Sequence, residues 1–208
     1  MRMKMKIHLL LFCMGCLLLS GCGNSGQGYV IEGTLPSVQY DGEWMYLVPM
    51  ENAPGRVDSV KITNASFSFS GQGEEMRVLR LRHLLRIHIQ ELLVVTEPGT
   101  IRVKADSIGS VTGTPQNDAL QRWKEGREEK QEAYRSIRTG LRMAAGADSL
   151  RLMQMRDTLK KQEREMNFLL LKEQGNNTLG TFMRKILRGS LTEEQKKQLD
   201  ESLPKEIH

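Results

Sequence analysis

The sequence predicts an α+β protein: an antiparallel β-sandwich or open barrel, followed by an antiparallel helical hairpin and two short helices. Three observations carry that prediction. From residue 29 to about 113, short segments alternate apolar and polar residues, and Pro, Gly, Asn and Asp punctuate them at close intervals. At Thr114-Pro115 the apolar spacing changes to the three-and-four rhythm of a helix and keeps it to the end. The composition, 208 residues with 39% hydrophobic, 26% charged and 5% aromatic, is that of an ordinary globular chain with room for one or two small domains. It excludes a disordered tail, a collagen, a disulfide scaffold and a polytopic membrane protein.

The strands follow one another along the all-β region, residues 29–114. Tyr29 to Leu35 ends at Pro36, and Glu43 to Val48 is closed by Pro49. Val57 to Ile62 is joined through a hairpin-like Thr63-Asn64-Ala65 to Ser66-Phe67-Ser68-Phe69-Ser70, whose period of two is unbroken. Met76 to Arg82 and roughly Ile87 to Thr96 come next, and Pro98-Gly99 then supplies a preset φ followed by tolerance of φ > 0. Ile101 to Lys104 and Gly109 to Gly113 complete the set. Alternation assigns to the core Val30 or Ile31, Trp44 or Met45, Leu47, Val60, Ile62, Phe67, Phe69, Leu79, Leu81, Leu93, Val95, Ile101 and Val103.

Residues 115–208 read as helices. Thr114 is the expected N-cap with Pro115 at the first helical position, and Leu120, Trp123, Tyr134, Ile137 and Leu141 share one side. Gly140 to Ala147 is the connection. A second long helix starts near Asp148, carries Leu150, Met153, Leu159, Met166, Leu169 and Leu170, and stops at Gly175-Asn176-Asn177. Both are polar over most of their surface, so a narrow apolar seam is expected between them. Thr178 to Leu187 forms a third helix. Thr192-Glu193-Glu194-Gln195 is a capping box for a fourth, ending near Pro204.

The N-terminus is an address. Arg2, Lys4 and Lys6 precede the apolar run of residues 7–19, and Leu19-Ser20-Gly21-Cys22 follows, so residues 1–21 read as a secretory signal. The tetrapeptide resembles the lipobox of bacterial lipoproteins, in which the Cys thiol is diacylated with chains such as palmitate, the peptide is cut before it and the new amine is acylated. Cys22 is therefore the expected lipid attachment site, and several acyl chains anchor stably where one does not. Residues 22–28, Cys22 followed by a small polar run, form a flexible tether. Gly23 stands where an Asp would resemble an inner-membrane retention signal, and no acidic cluster resembles a surface-export signal. The expected place is the bacterial envelope, lipid-anchored in the outer membrane and facing the periplasm.

Removing the leader takes three of the 30 basic residues, leaving 27 against 25 acidic ones. That near-neutral balance argues against nucleic acid as a partner. Cys13 and Cys16 spell C-x-x-C but lie in the discarded apolar run. With Cys22 acylated, no thiol is left for exchange.

Several stretches together resemble one family: Tyr29-Val-Ile-Glu-Gly-Thr-Leu, Met45-Tyr-Leu, Asp58-Ser-Val-Lys-Ile, Ser66-Phe-Ser-Phe-Ser-Gly, Val94-Val-Thr-Glu-Pro-Gly-Thr-Ile-Arg-Val and Val111-Thr-Gly-Thr-Pro-Gln-Asn-Asp. Over about residues 28–120 they are similar to DUF4369, the domain that precedes the thioredoxin-like domain in Bacteroidota thiol-disulfide oxidoreductases of the AhpC/TSA type. The helices beyond look like the usual connector. The resemblance implies a thioredoxin-like domain about where this chain ends, and that domain with its C-x-x-C is not in the sequence. The activity attached to the family name is therefore not expected here.

Catalytic and metal chemistry find no footing. His83, His88 and His208 have no metal-ligand spacing, and neither a P-loop, a G-x-S-x-G nor a Rossmann glycine pattern is present. Glu74-Glu75 and Glu128-Glu129 sit in charge-rich segments. No cofactor, metal or catalytic residue is expected. The densest basic stretch, with Arg77, Arg80, Arg82 and Arg86, reads first as an edge strand protected from aggregation by its charge; as an alternative, these arginines are contacts for an anion or an acidic partner. Four Asp-Ser/Thr-aliphatic triplets resemble the O-glycosylation acceptor pattern of Bacteroidota and nominate Ser59, Ser107, Ser149 and Thr158. The expected function is a non-enzymatic binding or interaction module. Its partner is a periplasmic protein or an extended peptide added to a sheet edge. The alternative is an accessory component of a redox system whose thioredoxin-like domain is on another chain. A hydrolase comes last, because no nucleophile–base pair is visible.

Overall fold

Alternation of buried and exposed positions produces eight strands in a computed structural model that describes residues 28–50, 57–82 and 88–202. The expected signal segment, Cys22, the tether up to residue 27, His83, Arg86 and His208 lie outside the described residues. The strands are β1 (Tyr29–Thr34), β2 (Trp44–Pro49), β3 (Asp58–Lys61), β4 (Ser66–Gly71), β5 (Met76–Arg80), β6 (Leu92–Val95), β7 (Gly99–Lys104) and β8 (Ser110–Thr112). The helices are α1 (Pro115–Leu141), α2 (Gly146–Gln174), α3 (Thr178–Leu187) and α4 (Glu193–Ser202).

The strands form two four-stranded sheets, ordered β4-β1-β7-β8 and β3-β2-β5-β6. Among the described residues the sheets stay separate, so the architecture is the sandwich and no barrel closes. One pair departs from the antiparallel pattern: β1 and β7 run parallel, with Ile31 opposite Ile101. A parallel pair needs a long connection, and the chain makes it by building strands β2 to β6 before β7 returns beside β1.

The first core lies between the sheets. Ile31, Met45, Leu47, Ile62, Leu79, Leu81, Val94 and Ile101 are its fully enclosed members, with Phe67 and Phe69 edge to face at 6.0 Å. Of the paired expectations, Ile31 and Met45 are inside while Val30 and Trp44 face out. Val60 is partly buried against this core. The Phe67 ring crosses directly over Gly33, where a Cβ would sit 2.0 Å from the ring, so the strand needs glycine at that point. The turn into β4 places Asn64 and Ala65 at φ 51°, and the Asp41 carboxylate holds it by accepting both of their amides at 2.8 Å.

A second core joins the helices to the other face of β5 and β6. Met76 and Val95 contribute from the strands, and Leu120, Phe168, Leu171, Leu179, Met183 and Leu199 from the helices. Strand β6 is therefore covered on both sides, with Leu92 and Val94 toward the sandwich and Val95 toward the helices. Its run of four apolar residues reflects that double burial. The expected Leu93 is partly buried on the helix side. The capping box forms as expected, with the Gln195 amide donating to Thr192 Oγ1 and the Thr192 amide to Gln195 Oε1, both at 3.2 Å.

Candidate functional site

The helical half is fixed to the sandwich by side-chain amides on the first turns of α1. Asn117 behaves as an added strand residue: its Nδ2 donates to the Val95 carbonyl at 2.8 Å and its Oδ1 accepts the Val95 amide at 2.9 Å. Four residues on, and so on the same helix face, Gln121 Oε1 accepts the Val111 amide at 3.1 Å. Strands β6 and β8 are the last strands of their sheets on this side, so α1 covers both edges at once.

The start of α1 is capped by a residue from elsewhere in the chain. Thr114 has the extended backbone of an N-cap but makes no side-chain cap bond; its hydroxyl accepts Asn117 Nδ2 at 2.8 Å instead. The orphan amides of Gln116 and Asn117 go to Glu97 Oε1 at 2.7 and 3.1 Å, a carboxylate at the positive end of a helix. Gln116 extends the network. Its Nε2 donates to Glu74 at 2.7 Å and Glu97 at 3.2 Å, and its Oε1 accepts the Leu179 amide of α3 at 2.9 Å. Glu97, Gln116 and Asn117 are all buried, and these bonds satisfy polar groups that would otherwise be costly to enclose.

This joint sets a direction. The Gly99 amide donates to the Gly28 carbonyl at 3.3 Å, and a Cβ on Gly99 would touch the Thr114 methyl, so α1 starts at the end of the sandwich where the chain enters it. The helix runs along β8 to the opposite end, where the Lys124 ammonium donates to the carbonyls of Ile108 and Gly109. The rest of α1, from Glu125 to Leu141, continues for about 25 Å past that end at 1.5 Å per residue. Helix α2 returns beside it: Gly140 lies against Leu152, Gly126 against Met166, and Trp123 Nε1 donates to Asn167 Oδ1 at 2.9 Å. The result is a projecting arm. From residue 122 to 166, Ile137 is its single buried side chain.

The arginines nominated by sequence are dispersed. Strand β5 is an interior strand between β2 and β6, not the expected edge, so charge protects no sheet edge there. Arg77 is 11% exposed and spends its guanidinium on Glu75, on Asp58 at 3.0 Å and on the Leu47 carbonyl. Arg80 faces Glu91 at 3.6 Å, and Arg82 pairs with Glu43 at 2.6 Å. Arg86 lies outside the described residues. Ser59 is exposed on the outermost strand β3, and Ser107 is exposed in the turn between β7 and β8. In that turn Asp106 accepts the Ile108 and Gly109 amides at 2.9 and 2.6 Å. Ser149 is half-buried in the first turn of α2, and Thr158 is exposed in mid-helix with its hydroxyl on the Gln154 carbonyl at 3.0 Å.

Sequence reasoning missed Glu97, Asn117 and Gln121, the residues that build the joint. Among the described residues no three His, Cys, Asp or Glu side chains converge to hold a metal, and no helix is long and apolar enough to cross a membrane. No curated protein and no solved structure matches the chain significantly. Residues 29–120, the sandwich together with the α1 turns that seal it, match the family model of a domain of unknown function, DUF4369.

Proposed function

We propose that the protein is a lipid-anchored, non-enzymatic interaction module of the bacterial envelope, held at Cys22 in the outer membrane and presenting its helical arm to a partner in the periplasm. The observation that carries the reading is polarity of form. The chain enters the sandwich at one end, beside the start of α1, and the arm leaves from the other. An anchor on a tether of a few residues holds the first end near the lipid and directs the arm away from it. Within the arm a long stretch buries one side chain, so most of its surface is open to a partner. The joint residues are engaged in holding elements together, which supports binding over catalysis as the role.

Detergent phase partitioning of the full chain from a bacterial host tests the anchor. The wild type is expected in the detergent phase and Cys22→Ala in the aqueous phase; equal partitioning of the two overturns the reading. The DUF4369 match supports a second reading, an accessory part of a thiol-disulfide system, through the resemblance of that domain to the one preceding thioredoxin-like domains. Crosslinked pull-downs from oxidised and reduced envelopes separate the two. Repeated recovery of a thioredoxin-like protein favours the second. The triplets at Ser59, Ser107, Ser149 and Thr158 are proposed O-glycan acceptors, and an intact mass equal to polypeptide plus lipid rejects them.

A further inference from the structure

The outer half of the arm holds a groove of about 590 Å³ between α1 and α2. Its floor is apolar, from Ile137 and Leu141, and its walls carry Arg135, Arg138 and Arg156 with no carboxylate among the lining residues. Arg135 and Arg156 also touch Glu132 and Asp157 on their own helices, at 2.8 and 3.1 Å, while Arg138 has no ion-pair partner among the described residues. Such pairs between exposed side chains are weak and exchange readily for a better bidentate acceptor.

An apolar stripe leads into the groove. Leu150, Met153 and Arg156 follow at intervals of three on α2, and each therefore adjoins the next on the helix surface. Leu150 is 64% and Met153 41% exposed, and in the connection between the helices Met143 is 89% exposed. These side chains contribute little to the fold where they stand. Guanidinium groups beside Met and Leu are the composition of a protein-binding surface, with thioethers able to adapt to an uneven partner.

We infer that this tip is a docking site for an acidic segment of a protein partner, one in which carboxylates alternate with apolar residues. The guanidinium groups take the carboxylates in bidentate pairs, and Leu141, Leu150 and Met153 take the apolar side chains. A sulfated or phosphorylated polymer would use the arginines and leave the apolar stripe bare, so protein is the better match. The site lies on the arm assigned above to partner contact, and in that respect the inference rests on the interaction reading; its charge and apolar content are independent of lipidation.

Fluorescence anisotropy with the full chain in non-ionic detergent tests the site, using a fluorescein-labelled random copolymer of glutamate and leucine as the probe. The wild type is expected to bind the copolymer more tightly than poly-L-glutamate of equal length. Arg138→Glu/Arg156→Glu weakens binding at least tenfold, and so, to a lesser degree, does the milder Arg138→Gln/Arg156→Gln. Leu150→Ser/Met153→Ser weakens it at least threefold, and Arg102→Glu on the exposed face of β7 leaves it unchanged. Arg138, Leu150, Met153 and Arg102 are exposed and Arg156 is half-buried, and circular dichroism checks that helix content is retained. The inference is overturned if the wild type does not bind, if the arginine variants bind like wild type, or if Arg102→Glu weakens binding as much. It is also overturned if the apolar pair has no effect or if heparin binds more tightly than the copolymer, since either result describes a plain anion surface. Because no membrane enters the measurement, its failure leaves the Cys22 partitioning result standing, and the reverse.

Discussion

The joint and the arm are made from the same two helices and obey different rules. Within the first two turns of α1 and the last two of α2, apolar side chains reach the second core and the enclosed polar atoms of Asn117 and Gln116 find partners. Beyond Lys124 the same helices bury one residue, and pair through half-buried contacts such as Tyr134 with Glu163 at 3.2 Å. Helices of this kind owe their stability to packing at one end and to the helical propensity of residues such as Glu, Lys, Gln and Arg along the rest. The difference assigns stability to the joint and leaves the arm's surface free of folding duty. Substitutions on either side of Lys124 are therefore expected to have effects of very different size.

The largest effect is expected at Asn117. Asn117→Ala removes both partners of the Val95 backbone at a fully buried position and leaves an enclosed amide and carbonyl unmatched. The expected loss is about 3 kcal/mol, in the upper range for unsatisfied buried groups. Urea unfolding followed by tryptophan fluorescence measures it, since Trp123 sits two turns along the same helix. Hydrogen exchange at Val95 should rise in parallel. A loss under 1 kcal/mol would mean that the second core alone holds the helices, and that the comparison drawn here is wrong.

The elements were legible because each has a period, and the joint was not because it has none. Ser66 to Ser70 alternates visibly, and Thr192 to Gln195 announces its helix by local chemistry alone. Alternation does not report direction, so the parallel pairing of β1 with β7 was invisible in residues that read identically either way. Nor does it report double burial: Leu92 to Val95 is one apolar run whose two faces serve two cores. Glu97 stands in a Glu-Pro-Gly turn and reads as solvent-facing until α1 is set against it. Asn117 reads as a weak helix former near a helix start. Its task as a strand surrogate exists only once the edge of β6 arrives from 22 residues away. The edge-strand reading of the arginine stretch failed for the related reason that strand order decides which strand lies at an edge, and order is a property of the whole fold.

A smaller effect, with a pH signature, is expected where the arm leaves the sandwich. The Lys124 ammonium grips the Ile108 and Gly109 carbonyls in a turn that Asp106 organises. The Gly109 amide, followed by the Lys104 ammonium and the Ile108 amide, holds the Asp106 carboxyl below the usual carboxylate range. A carboxylate depressed in the folded state stabilises fully above its unfolded value of about 3.9, and loses that contribution as pH falls through the folded value. Asp106→Asn is therefore expected to cost about 1 kcal/mol at pH 6. The gap to wild type should narrow below about pH 4. A gap that stays constant from pH 6 to pH 3 would show that the charge of Asp106 contributes nothing to the turn.

The smallest effect on stability is expected on the arm itself, and it is the one that separates a recognition surface from a structural one. Leu150→Ser exchanges a large apolar side chain, 64% exposed, for a small polar one, and Arg138→Gln removes a charge with no ion-pair partner among the described residues. Neither removes an enclosed group, so each should change unfolding free energy by less than about 0.5 kcal/mol. Ile137→Ala is the internal control. Its side chain is the one buried between residues 122 and 166, and its truncation should cost about 2 kcal/mol, at the low end for a buried aliphatic because the arm is narrow and can close around the gap. Urea unfolding of the three variants side by side orders them. If Leu150→Ser costs as much as Ile137→Ala, Leu150 is packed against something in the folded protein and does not belong to an open surface. If both are silent, the arm unfolds apart from the sandwich, and the seam at Ile137 is too weak to keep its two helices together.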